Sequence, residues 1–354
     1  MKNKRHVSIL LTLLAVVALV ASGCGSKGQP SAATSLAGAG ATFPYPLYSK
    51  MFDIYDGLTG VRVNYNSIGS GGGIKALTDK TVDFGASDAF LNDQEEGAMG
   101  APILHIPTCV GAVVLSYNLD GNPPLKLDGG VTANIFLGKV TKWNDPSIAT
   151  LNPGVSLPGL AITVVHRSDG SGTTSIFTSY LAAVSPTWKA TVGAGKSVSW
   201  PAGVGGKGND GVAGMISQTK GSIGYIELVY AVQTGIPFAS LKNTSGTFIT
   251  PTLASSAAAA AVTLPDDLRV VIVNSPGADA YPISAFTWIL VYKEQNYAGR
   301  TLEQAQALKK LLTWMLTDGQ AINEGLSYAK LPAPAVTKAL ALVNSMTYGG
   351  TAIP

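Results

Sequence analysis

The 354 residues are enough for two domains of ordinary size. With 13% charged side chains and 41 glycines, they suit a well-packed body with many tight turns. Residues 1–23 hold three of the 24 Lys and Arg side chains and none of the 21 acidic ones. The remainder is formally neutral, which argues against a nucleic-acid or polyanion binder.

Lys2, Lys4 and Arg5 precede an apolar run from Ile9 to Ala21 that is too short to span a bilayer comfortably and is followed by small residues. That pattern reads as a signal peptide over 1–23. Val20-Ala21-Ser22-Gly23-Cys24 resembles a bacterial lipoprotein cleavage site with Cys24 as the lipidated residue, although Ala21 stands where Leu is usual. Residues 24–35 then form the anchor and a polar, small-residue linker, and the fold begins near Leu36. If Cys24 is lipidated, Cys109 has no partner; in the apolar run Ile106–Leu115 it reads as a buried small hydrophobe.

Along the body, strand-like runs alternate with helical patterns. The strands are expected at Val61–Tyr65, Val82–Gly85, Val110–Tyr117, Ile162–Val165, Ile223–Ile226, Leu268–Val273 and Phe286–Tyr292. This alternation predicts an α/β architecture with sheets covered by helices on both faces. The alanine-rich stretch Ala254–Val262 reads as a surface helix.

Four segments share one kind of chemistry. Gly38-Ala39-Gly40-Ala41-Thr42-Phe43-Pro44 leads into a helix with Leu47, Met51, Ile54 and Leu58 on one face, so Thr42 and the Phe43 N–H sit at a helix start. Gly69 to Gly73 places Ser70 in a similar first turn, but lacks the spacing of a nucleotide-binding P-loop. Val82 to Asp88 is a strand that ends on a carboxylate. His166-Arg167-Ser168-Asp169-Gly170-Ser171-Gly172-Thr173-Thr174 joins a buried strand to an amphipathic helix. Its first N–H groups, together with two hydroxyls and a guanidinium, form a cradle for a tetrahedral oxyanion.

Taken in order, these motifs resemble those of the substrate-binding protein of the bacterial high-affinity phosphate ABC transporter. The resemblance rests on GAGATFPYPLY at 38–48, GSGGG at 69–73, VDFGASDAFL at 82–91, RSDGSGTT at 167–174, WPAGVGGKGNDGVAG at 200–214 and GSIGYIE at 221–227. It implies a two-lobed periplasmic-binding-protein fold, type II-like, with two mixed-sheet domains, a two-segment hinge and a cleft between them. It also implies phosphate contacts at Thr42, Phe43, Ser70, Asp88, Arg167, Ser171, Gly172 and Thr173, with Asp169 orienting Arg167. Asn209 and Asp210 read as a turn and helix start that supports the cleft.

The contacts so assigned fall in two groups far apart in sequence. Residues 36–115 with 280–354 are therefore expected as one lobe and 119–277 as the other, with hinges near 115–118 and 279–283. Closure around the ligand is what the permease subunits would recognise. Asp88 is the expected discriminator, because phosphate always carries an O–H for it to accept and sulfate carries none.

The expected partners are inorganic phosphate, the permease and a membrane reached through the lipid anchor. The chain reads as a monomer on the cell surface or in the periplasm, with no catalytic role, cofactor or metal. A phosphatase-like enzyme is the first alternative, but there is no G-x-S-x-G elbow, and strand alternation points His166 away from Arg167. A scavenging lipoprotein without its own transporter, or a site for arsenate, stays open.

Overall fold

The computed structural model describes residues 35–354. The signal peptide, Cys24 and nearly all of the linker lie outside the described residues.

The strands of the main sheet are β1 (Ser35–Gly40), β2 (Arg62–Ser67), β3 (Phe84–Ser87), β4 (Ile103–Tyr117), β6 (Thr163–Arg167), β7 (Val204–Gly206), β8 (Ser222–Glu227) and β11 (Ser284–Tyr292). Short strands β5 (Lys126–Leu127), β9 (Ser240–Lys242) and β10 (Phe248–Ile249) form a separate sheet. The main sheet runs β2-β1-β3-β11-β4-β8-β6-β7. The pairs β2/β1, β1/β3, β8/β6 and β6/β7 are parallel, whereas β11 and β4 run antiparallel to their neighbours.

β4 is shared by two half-sheets. Its residues Ile103–Ala112 pair with β11, and Val113–Tyr117 pair with β8. Each half has its own aromatic cluster. Tyr48, Phe52, Tyr65 and Phe84 interlock beside β1 and β3. Phe136, Phe177, Trp200 and Tyr225 do so beside β6 and β8. Such ring pairs add about 0.5–1.5 kcal/mol each beyond their area burial.

β1 has no alternating pattern that would reveal it in the sequence SLAGAG. It lies between two parallel neighbours, and a Cβ on Gly73 of the helix above would come within 2.4 Å of Gly40 Cα. Close helix packing thus selects small residues where a strand signal would need large ones.

One expectation is corrected. Leu268–Val273 is not a strand: Leu268 is left-handed at φ 57, and Asp267 accepts both the N–H and the guanidinium of Arg269 in a tight turn. The alanine-rich segment is the expected surface helix, Leu253–Ala259: Ala254 and Ala257 are exposed, while Ser255, Ser256 and Ala259 face the interior.

Candidate anion-binding site

The parallel strands deliver their carboxyl ends to one place, where α/β sheets carry ligand sites. β1 leads to Thr42, β2 to Ser70, β3 to Asp88, β6 ends on Arg167, and β7 leads to Asn209.

Ser70 opens the helix Ser70–Thr78 after Gly69, which is left-handed at φ 85. Ser70 is fully buried. Its Oγ accepts the Asp88 N–H at 3.2 Å and the Gly172 N–H at 3.0 Å. Gly172 begins the helix Gly172–Val184, capped by Ser171 Oγ, which accepts the Thr174 N–H at 3.0 Å. A Cβ on Gly172 would sit 2.4 Å from Ser70 Oγ and 2.6 Å from Asp88 Oδ2, so only glycine allows this approach.

Arg167 is 3% exposed and held as a fork. Its Nε donates to Asp169 Oδ1 at 2.8 Å, its Nη2 to Asp169 Oδ2 at 2.5 Å, and its Nη1 to Thr173 Oγ1 at 3.3 Å. Burial would raise the Asp169 carboxyl, but the hydrogen bonds and charge of Arg167, with the Gly208 N–H, hold it below the usual carboxylate range. Thr42 Oγ1 accepts from Asn209 Nδ2 at 2.8 Å, and the same amide donates to Thr173 Oγ1 at 3.1 Å. Phe43 is buried, and its carbonyl accepts from Tyr328 Oη at 2.6 Å, which fixes the backbone at that helix start.

All eight residues expected from the sequence are thus buried; Asn209 joins Thr42 and Phe43 to the other six, which are joined directly or through a chain neighbour. Ser171 and Gly172 use groups within the protein: the Ser171 N–H donates to the Lys196 carbonyl at 2.8 Å and the Gly172 N–H to Ser70.

Asp88 is 3% exposed, and its carboxyl is pushed up to about 7. Loss of solvent is the largest cause, opposed by the Thr287 hydroxyl, the Arg167 charge and Ser70. A cavity of about 280 Å³ adjoins it, walled by Phe90, Ile176, Lys196, Val271 and Trp288 among others. Those walls are mainly apolar, and of the eight expected contacts only Asp88 lines them, so the cavity fits an approach better than an anion's seat.

Asn209 does more than support a turn. Its amide ties Thr42 to Thr173, while its Oδ1 accepts the Glu227 N–H at 3.0 Å. The polar residue after GGKG was its only sequence signal. Thr287, which donates to Asp88 Oδ1 at 2.8 Å, escaped notice as one hydroxyl in the apolar run Phe286–Tyr292. His166 stacks on Trp200, 4.8 Å between ring centroids, while Arg167 bonds Asp169.

Comparison with known proteins places this arrangement. The family model of the PBP superfamily domain matches residues 25–319. A phosphate-binding protein PstS of Xylella fastidiosa is 44% identical over 322 residues, covering 88% of this chain and 87% of that protein. A phosphate-binding protein PstS of Pasteurella multocida is 45% identical over 311 residues, covering 86% and 89%. A solved high-affinity periplasmic phosphate-binding protein bound with phosphate superposes with a TM-score of 0.69 at 21% identity, covering 87% of this chain and 93% of that one. The chain belongs to the PstS family of phosphate-binding proteins, within the PBP superfamily.

Proposed function

We propose that this chain captures inorganic phosphate outside the cytoplasm and delivers it to the permease of an ABC transporter. The observation that carries the reading is the meeting of Ser70 and Asp88 with Gly172 and Arg167 at the carboxyl ends of strands from two half-sheets. Helix-start N–H groups, hydroxyls and one guanidinium supply donors, and Asp88 supplies the acceptor. Arg167 is neutralised by Asp169, so dipoles and hydroxyls carry most of the anion's charge.

Thr42, Phe43, Ser70, Asp88, Arg167, Ser171, Gly172 and Thr173 are the proposed contacts, with Asp169 orienting Arg167. We add Asn209 as the residue that sets Thr42 and Thr173. Phosphate enters by replacing contacts such as Ser70 to Gly172, so its oxygens take over donors that otherwise satisfy one another.

The lobes are proposed as 36–115 with 280–354, and 119–277, moving about hinges near 115–118 and 279–283. Support comes from the two crossings lying side by side: the Val113 N–H donates to the Ile283 carbonyl at 2.8 Å where β4 changes partners. A lipid on Cys24 would hold the body at a membrane, and among the described residues no helix is long and apolar enough to cross one. The body works as a monomer and without catalysis.

Calorimetric titration of protein refolded free of anion tests the reading. Tight one-to-one phosphate binding without sulfate heat is expected. No heat with phosphate overturns it, and equal heats for both ions overturn the role of Asp88.

A further inference from the structure

Thr287 lies where strand register aims it at the site. β11 pairs antiparallel with β3, with Trp288 opposite Ser87, so the next residue along, Thr287, faces Asp88. On its other side β11 runs against β4, and there the register skips: Thr287 pairs with Cys109 and Trp288 with Pro107, leaving Thr108 as the extra residue. Bulges of this kind re-aim side chains beside functional sites. Thr287 is fully buried and donates its hydroxyl to Asp88 Oδ1 at 2.8 Å. Asp88 Oδ2 lies against Gly172, on the side of the Ser70 hydroxyl.

The two oxygens of Asp88 therefore differ. Oδ1 is occupied by a donor from the protein, and Oδ2 is left toward the anion-binding loop. We propose that Thr287 is a specificity-determining residue: by donating to Oδ1 it keeps Asp88 an acceptor, so that Oδ2 alone reads whether the bound anion carries a proton. This rests on the phosphate reading above.

Without the Thr287 hydroxyl the same carboxyl takes up a proton more readily and becomes a donor. A protonated Asp88 accepts sulfate as well as phosphate. The other groups that act on it do not replace Thr287. Arg167 is the cation facing it and is already forked on Asp169, and the Ser70 hydroxyl, which also accepts the Asp88 N–H, holds the carboxyl down less than Thr287 does. Glu227, Cys109, Tyr48, Tyr65, Tyr230 and Tyr328 are pushed up by burial, toward their neutral forms.

The test measures phosphate and sulfate dissociation constants from pH 5 to 9 for the full chain and for Thr287→Val, Thr287→Ser and Thr287→Cys. Thr287→Val is expected to lower the preference for phosphate over sulfate about tenfold at neutral pH and to move the loss of sulfate rejection up by about one pH unit, the loss of one charge-assisted bond. Thr287→Ser keeps the hydroxyl and keeps the wild-type profile; Thr287→Cys, a weak donor, lowers the preference. If Thr287→Val does not fold, the Ser and Cys pair decides. In an Asp88→Asn background, Thr287→Val changes the preference no further. A preference unmoved by Val or Cys, or lost equally with Ser, overturns the role of Thr287. Wild-type protein that binds no phosphate overturns the underlying reading instead.

Discussion

Ser70 Oγ accepts the Gly172 N–H at 3.0 Å across 102 residues of sequence, and no side chain fits between them. Both groups are proposed to turn to phosphate when it enters, so this contact measures how closely the two halves approach. Gly172→Ala forces them apart at a helix N-terminus that otherwise tolerates alanine well. Phosphate affinity is expected to fall by about 100-fold or more, the effect of lost donors of this kind (~2.7 kcal/mol). Unchanged affinity in titration would falsify the proposed closure.

Asp169 holds a guanidinium whose side chain is 1% exposed. Asp169→Ala leaves that charge buried with Thr173 as its remaining side-chain partner, and removing one member of a buried pair costs ~3–5 kcal/mol. The variant should unfold at markedly lower denaturant concentration and bind phosphate weakly. Asp169→Glu, which keeps the charge with a longer reach, should recover part of the stability. Equal stability of wild type and Asp169→Ala would show that Arg167 has another partner.

The carboxyl of Asp88, pushed up to about 7 from 3.8, holds its proton in the native state at pH values where the unfolded chain has released it. Stability without phosphate therefore declines as pH rises from about 4 to about 7. Asp88→Asn removes that decline, and at pH 8 it should be more stable than wild type by ~2–4 kcal/mol, with no gain near pH 3.5. The same variant should lose its rejection of sulfate. Denaturant unfolding at both pH values and paired titrations check this; a variant less stable at pH 8 contradicts it.

Lys196 touches both sides of the site. Its carbonyl accepts the Ser171 N–H at 2.8 Å, and its ammonium meets Glu95 Oε2 at 2.7 Å on the helix that follows Asp88. The pair is partly exposed, so its worth is ~0.5–1 kcal/mol. Lys196→Met should speed phosphate release about two- to fivefold, with selectivity intact. Stopped-flow release in low and high salt should show the wild-type advantage shrinking as salt rises.

The glycine-rich turns, the buried β6 run and the amphipathic helix after Ser171 are local signals, and they were legible because helix starts and turns are specified by neighbouring residues. The motifs in order also carried the family. β1 was missed and Leu268–Val273 misread for the opposite reason. One is a strand made of small residues by the helix above it, and the other is an apolar run turned aside by a left-handed Leu268.

What the sequence determined by itself is which segments can offer N–H groups, hydroxyls and charge to an anion, since each such segment is a short strand-to-helix turn. The tertiary structure alone decided how those segments are coupled. Thr287 meets Asp88, Asn209 ties Thr42 to Thr173, and Ser70 holds Gly172. Those contacts join residues 36 to 199 positions apart, and strand register and sheet order set them, which no local pattern encodes.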